Sequence, residues 1–182
     1  MRILALDLSL NETGFCILDN GKIIDNDIIK VTKNTEQIDR VIEIRDFIAH
    51  NILIQSPFDG IFIENYSFGS KGIWTFSCGE MCGAIKLMLK DLGFKYYMIA
   101  PTMWKKFVLG KGTLPKDQIM LQCYKQYGVE FTNNNMCDAY CIAKFGESFI
   151  KYKRGDKEKL TKIQIECFKK YTKEENPEKD RL

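Results

Sequence analysis

The stretch RILALDLSLNETGFCILDNGKIIDNDIIKV, residues 2–31, decides the architecture. Arg2 to Leu8 is an apolar run closing on a carboxylate, Asp7, and reads as a buried first strand. Asn11 to Gly14 reads as a turn, and Phe15 to Leu18 as a second strand. Asp19-Asn20-Gly21 is a tight hairpin signal, because Asn and Gly tolerate the positive φ that such turns demand. The chain then returns through Ile23, Ile24, Ile28 and Val31. Three consecutive antiparallel strands are therefore expected at the start of the fold.

Outward from this meander, Thr35 reads as the cap of a helix. Its apolar positions Ile38, Val41, Ile42, Ile44, Phe47 and Ile48 lie close to a 3.6-residue period. Pro57 ends it, and Phe58 to Ile63 is a continuous apolar strand closing on Glu64. A polar loop, Ser67 to Gly72, precedes a long helix from Ile73 to Leu92 that Gly93 stops. Lys95 to Ala100 is a further strand, and Pro101 opens a short helix through Val108. Gly110 and Gly112 bracket a loop, Pro115 opens a helix to Tyr127, and Asn133 to Asn135 cap a helix reaching Tyr152. Antiparallel strands followed by strand–helix units predict an α/β domain, a mixed sheet with helices on both faces. Residues 1–152 form that domain. Residues 153–182 are a basic C-terminal tail with a helix at 157–172 and a disordered end.

The bulk numbers agree. The length, 182 residues, suits one core, and 45% apolar with 28% charged residues argues against wholesale disorder. No run approaches the roughly 20 apolar residues of a membrane span. Asp7 interrupts the N-terminal apolar run and no small-residue cleavage site follows, so a cytoplasmic protein is expected. Seven cysteines, an odd count without a secreted spacing, fit that compartment. Cys78 with Cys82, and Cys137 with Cys141, could each share a helix face and together build a zinc site. Without a CxxC they read instead as small buried residues. His50 is the one histidine, which argues against histidine triads and multi-histidine metal sites.

Charge is uneven. Residues 151–182 hold 11 Lys/Arg against 7 Asp/Glu, while residues 1–150 hold 16 against 17. Within the body, residues 86–125 carry eight lysines (Lys86, Lys90, Lys95, Lys105, Lys106, Lys111, Lys116 and Lys125) against Asp91 and Asp117. Such a patch is either a solvated surface or one that neutralises phosphates.

The acids carry the chemistry. Asp7 and Glu64 each follow an apolar run, LAL and IFI, where a carboxylate is costly without a partner or a metal. If their strands are neighbours, both converge at one sheet edge. Asp138 lies near the start of the last body helix, with Asn135 three residues earlier on the same face. Three acids and an amide oxygen make an all-oxygen set suited to Mg²⁺, with Mn²⁺ as a substitute and one or two ions per subunit. Such ions support phosphodiester hydrolysis without any histidine.

Four segments, in order, resemble the RuvC-type Holliday-junction resolvases. They are ILALDLSLNETGFCIL, IFIEN, IAPTMWKKFVLGKGTLPKDQI and NNNMCDAYCIA. The resemblance implies an RNase H-like fold with a five-stranded mixed sheet. It also implies a Mg²⁺-dependent endodeoxyribonuclease that resolves branched DNA, and a homodimer formed through the helix at 73–92. In that helix Ser77, Gly79, Gly83 and Ala84 would permit close approach. By the same resemblance Asp7, Glu64 and Asp138 are metal-binding catalytic acids, with Asn135 where an aspartate is usual. Lys105 and Lys116 match lysines that meet the scissile phosphate or junction backbone, and Lys116 joins the catalytic set. Lys106, Lys111 and Lys71 extend the DNA-binding surface. Tyr66 or Phe68 would be the aromatic that enters the junction centre. The departures and the basic tail look more like divergent phage resolvases, which would place the protein in the host cytoplasm.

Other functions remain open at this point. A nuclease of the same fold acting on flaps, forks or RNA shares the acids. A non-catalytic binder of branched nucleic acid would be expected to have replaced Asp7 or Glu64. Two-domain sugar-kinase and actin-like ATPases need more than 182 residues.

Overall fold

A computed structural model describes residues 1–32, 35–65, 73–157 and 160–175. The meander is present as β1 (Arg2–Asp7), β2 (Glu12–Asp19) and β3 (Lys22–Lys30). Asn20 and Gly21 turn the β2–β3 hairpin with φ of 49° and 81°, the left-handed values that this pair was expected to accept. β4 (Gly60–Glu64) and β5 (Tyr96–Ile99) complete a five-stranded sheet ordered β3-β2-β1-β4-β5. β1 pairs antiparallel with β2 and parallel with β4, so the sheet is mixed, as expected.

Six helices cover it: α1 (Gln37–Gln55), α2 (Ile73–Asp91), α3 (Pro101–Leu109), α4 (Lys116–Tyr127), α5 (Asn134–Lys153) and α6 (Lys162–Glu175). Strand side chains alternate, and the two faces have separate cores. Leu4, Leu6, Ile61 and Ile63 pack under α1 and α2. Ile3, Ala5, Phe62 and Ile99 pack under α3, α4, α5 and α6. The second core is rich in aromatics: Phe62 stacks on Tyr97 at 4.8 Å, and Phe145, Phe149 and Phe168 meet around it. Each such pair contributes about 0.5–1.5 kcal/mol beyond its buried area.

Three local readings change. Thr35 does not cap α1; the N-cap is Glu36, without a side-chain cap bond, and the Thr35 hydroxyl donates to the Thr32 carbonyl. The buried stripe of α1 is Val41, Ile44, Ile48 and Ile52, while Ile38, Ile42 and Phe47 are exposed. The expected tail helix is present as α6, and it enters the core: Cys167, Phe168 and Tyr171 are buried. The Tyr171 hydroxyl donates to the Met98 carbonyl on β5, and the Gln164 amide to the Phe107 carbonyl on α3. No helix among the described residues is long and apolar enough to cross a membrane.

Candidate active site at the end of the central strands

The parallel register that sets Leu6 opposite Ile63 brings the next residues, Asp7 and Glu64, side by side at the carboxyl ends of β1 and β4. By alternation both leave the sheet on the face of Ala5 and Phe62, the one covered by α3 and α5. Their carboxyls lie within hydrogen-bond reach of each other. Burial pushes the Asp7 carboxyl well above the ordinary range, and the charges of Glu64 and Asp138 push it further; Lys105 opposes them. Asp7, Glu64 and Asp138 are therefore one electrostatic cluster, with Lys105 at its edge.

α5 delivers Asp138. Its N-cap, Asn133, accepts from the backbone N–H groups of Asn135 (2.8 Å) and Met136 (3.3 Å). The Asn135 amide nitrogen donates to the Glu12 carbonyl at 3.0 Å and reaches the Glu12 carboxylate at 3.4 Å. Asn135 thus fastens α5 to β2, and what it offers a cation is its amide oxygen. Behind Asp7, buried Thr13 closes the loop between β1 and β2. Its hydroxyl donates to the Ser9 carbonyl (2.7 Å) and accepts from the Ser9 N–H (3.0 Å).

α3 delivers two more groups. Pro101 opens the helix, and Met103, Trp104, Phe107 and Val108 are its buried face. The Trp104 indole N–H donates to Glu64 Oε1 at 2.8 Å. Lys105 follows, its Nζ 5.1 Å from the Trp104 ring centre. Trp104 is the site residue that reading the sequence missed. The one available signal was a lone indole donor beside a lysine in the basic segment.

The remaining expected residues are less gathered. Lys106 is exposed beside α6, near Cys167, and Lys111 is exposed in the loop after α3. Lys116 opens α4, but its side chain lies outside the described residues, as do Tyr66, Phe68 and Lys71 altogether. The cysteine pairs do not meet as posited for zinc. Cys137 and Cys141 converge on Cys123 of α4, three buried sulfurs within 4.8 Å of one another. The three thiols act on one another: hydrogen bonding to Cys123 pushes Cys137 and Cys141 above the ordinary thiol range, while the same bonds hold Cys123 below it.

Three carboxylates facing one another repel unless a cation lies between them, and their oxygens are hard donors. The residues present therefore fit a divalent metal ion.

No protein-family model matches the chain. Among curated proteins, the crossover junction endodeoxyribonuclease RuvC of Sulfurovum sp. (strain NBC37-1) is 30% identical over 154 residues, covering 79% of this chain and 92% of that one. The chain belongs to the RuvC family. RuvC of Campylobacter concisus is 28% identical over 151 residues, covering 79% of this chain and 94% of its own length. Thermus thermophilus RuvC shares the fold with a TM-score of 0.69 at 17% identity, over 86% of this chain and 98% of that one. The same protein solved with a Holliday junction substrate gives 0.70 at 16% identity. The fold is thus RNase H-like, and divalent-metal dependence is general in the RuvC family.

Proposed function

We propose that this RuvC-family protein is a structure-selective endodeoxyribonuclease that resolves Holliday junctions, with Asp7, Glu64 and Asp138 holding the catalytic Mg²⁺. The observation that carries the reading is the convergence of these acids from β1, β4 and α5 at one sheet edge. When bound there, Mg²⁺ supplies Lewis-acid stabilisation of the charge that builds on the phosphodiester oxygens. Mn²⁺ substitutes for it, because the donor set is all oxygen. Asn135, with its nitrogen engaged by Glu12, makes the fourth corner neutral, so a second ion is held more weakly than the first.

The protein's own groups orient and bind. Lys105, close enough to lower the Asp7 carboxyl, balances part of the acidic charge and meets the scissile phosphate. Lys111, at the start of the loop after α3, and Lys116, the first residue of α4, contact the flanking DNA backbone; Lys106 and Lys71 extend that surface. Tyr66 or Phe68 stacks at the junction centre.

Symmetric cleavage calls for two subunits, and α2 supplies an open face. Phe76 and Leu87 are 75% and 61% exposed, and among the described residues nothing lies within 4 Å of where a Cβ on Gly79 or Gly83 would stand. Ser77 is on the inner side instead, its hydroxyl donating to Gln37 of α1 at 2.6 Å. A homodimer across the Phe76–Gly79–Gly83–Leu87 stripe leaves two acidic centres for the two strands of a junction.

The deciding experiment incubates the protein with labelled four-way junction, flap and linear duplex in Mg²⁺, Mn²⁺ or EDTA. Paired symmetric nicks in the junction, abolished by EDTA, are expected. Preferential cutting of flaps or of RNA would replace the substrate, and full activity of Glu64→Gln would dismiss the site.

A further inference from the structure

The sequence resemblance assigns Glu64 a role and says nothing of what holds it. A glutamate at a strand end has three rotatable bonds, and a metal site needs its carboxylate within a few tenths of an ångström. Besides its contact with Asp7, the carboxylate is held by the Trp104 indole. The indole is fully buried, on a helix whose first turn is set by Pro101, and its Nε1–H stands 2.8 Å from Glu64 Oε1. We propose that Trp104 is a positioning residue for the RuvC-type metal centre, holding the Glu64 carboxylate in its metal-binding orientation through the indole N–H. This inference rests on the reading of Glu64 as a metal-binding acid.

The chemistry of the donor argues for it. Indole nitrogen is a neutral donor with no accepting lone pair. It can hold Oε1 without adding positive charge, so it does not compete with the cation. An arginine or lysine in its place would neutralise the acid that the ion needs. The indole takes one lone pair on Oε1, and the carboxylate's other lone pairs serve its contact with Asp7 and the cation. The charge of the neighbouring Lys105 acts on Asp7, and its ammonium sits against the Trp104 ring, so one short helix influences both strand-end acids. A buried indole N–H also needs some acceptor for its own sake, and a backbone carbonyl would serve. The two roles differ in metal affinity: loss of the N–H weakens metal binding if it positions Glu64, and leaves it unchanged if the bond only satisfies the indole.

The test replaces the N–H while keeping the ring. The chain has two tryptophans. In a Trp74→Phe background, biosynthetic substitution by 3-benzothienylalanine puts sulfur in place of the indole N–H at position 104, with ordinary tryptophan as the control. Binding of Mn²⁺ alone is followed by electron paramagnetic resonance without DNA. Junction binding in Ca²⁺, cleavage against Mg²⁺ concentration, and thermal melting are measured alongside. Loss of about 10- to 100-fold in Mn²⁺ affinity is expected. The half-saturating Mg²⁺ concentration should rise in proportion, with the melting temperature and junction affinity nearly unchanged. Trp104→Phe should move the same way, with some loss of stability added; if it fails to fold, the isostere decides alone. Unchanged Mn²⁺ affinity and cleavage in the isostere, beside an active control, would overturn the inference. A control that neither binds Mn²⁺ nor cuts junctions would instead overturn the reading of the site.

Discussion

Gly14 of β2 and Asn135 of α5 meet backbone to backbone: a Cβ on Gly14 would lie 2.2 Å from the Asn135 carbonyl oxygen. The Thr13-Gly14 pair therefore seats the helix that carries Asp138. Thr13 ties the loop behind Asp7, and Gly14 lets α5 approach. Gly14→Ala forces a backbone shift, since the two nearest atoms, the carbonyl oxygen and carbon of Asn135, are backbone. It is expected to cost about 1–3 kcal/mol in urea denaturation. Cleavage measured well below the melting point should fall by about 100-fold, because a shift of roughly 1 Å suffices for that. Wild-type activity in a destabilised Gly14→Ala protein would detach the seating of α5 from catalysis.

Asp7 should show opposed effects on stability and activity. In the metal-free protein its carboxyl is buried against Glu64 and Asp138, so Asp7→Asn removes repulsion. The expected gain is about 1 kcal/mol, or ~2–4 °C in melting temperature for a chain of this size. Added Mg²⁺ should stabilise wild type and leave the variant nearly unmoved. Junction cleavage by the variant should drop by about two orders of magnitude or more. A melting scan with and without Mg²⁺ beside a nicking assay checks both.

Glu147 sets an acid limit on stability. It is buried on α5 and receives Lys144 at 2.9 Å and Lys151 at 3.0 Å. Burial alone would raise its carboxyl, but these two lysines outweigh burial and hold it below the ordinary value of 4.5. A depressed folded value means that this stabilisation is full above the unfolded value and is lost as pH falls through the folded one. Glu147→Gln should cost about 1–3 kcal/mol at pH 7. Its curve of stability against pH should converge on wild type as pH falls through the depressed folded value of Glu147. Curves that stay parallel throughout acid unfolding would remove Glu147 from the account.

The open stripe of α2 makes a prediction about assembly. Phe76→Glu with Leu87→Glu places like charges on the proposed two-fold contact. Sedimentation equilibrium should show association weakened by at least about tenfold, that is, 1.4 kcal/mol. Paired nicking of a junction should become single nicking. An unchanged dimer would move the interface elsewhere.

Helix α6 is part of the core as well as a carrier of charge. Phe168 is fully buried against Phe107, with ring centres 4.7 Å apart, and against Phe145 at 5.3 Å. Phe168→Ala should destabilise by about 3–5 kcal/mol. A chain ending at Tyr152 should melt lower still, because Tyr171 and Gln164 also leave β5 and α3. If that truncation also leaves DNA affinity and its salt slope unchanged, the tail's lysines are not a DNA-binding element.

The meander, the placement of Asp7 and Glu64 at the ends of apolar runs, and the start of α5 at Asn133 were legible locally. Each depends on side-chain alternation, on turn residues or on a cap, and these signals lie within a few residues of their effect. The cap of α1 was not, because Thr35 finds the Thr32 carbonyl rather than a free helical N–H, a choice made by the preceding turn.

The sequence by itself determined which residues could be strand-end acids and which helices would flank them. Only the tertiary structure decided what those residues touch. No local pattern around Glu64 marks Trp104, forty residues further on, as its partner; that pairing exists because β5 lies beside β4 and turns directly into α3. Asn135 reaches Glu12 across 123 residues, and the three sulfurs of Cys123, Cys137 and Cys141 meet because α4 docks on α5. Periodicity states which side of a helix is buried. It does not state against what, because the direction and depth of docking are set by the summed packing of a whole face, and hydrogen bonds between distant elements form only after that packing has placed them.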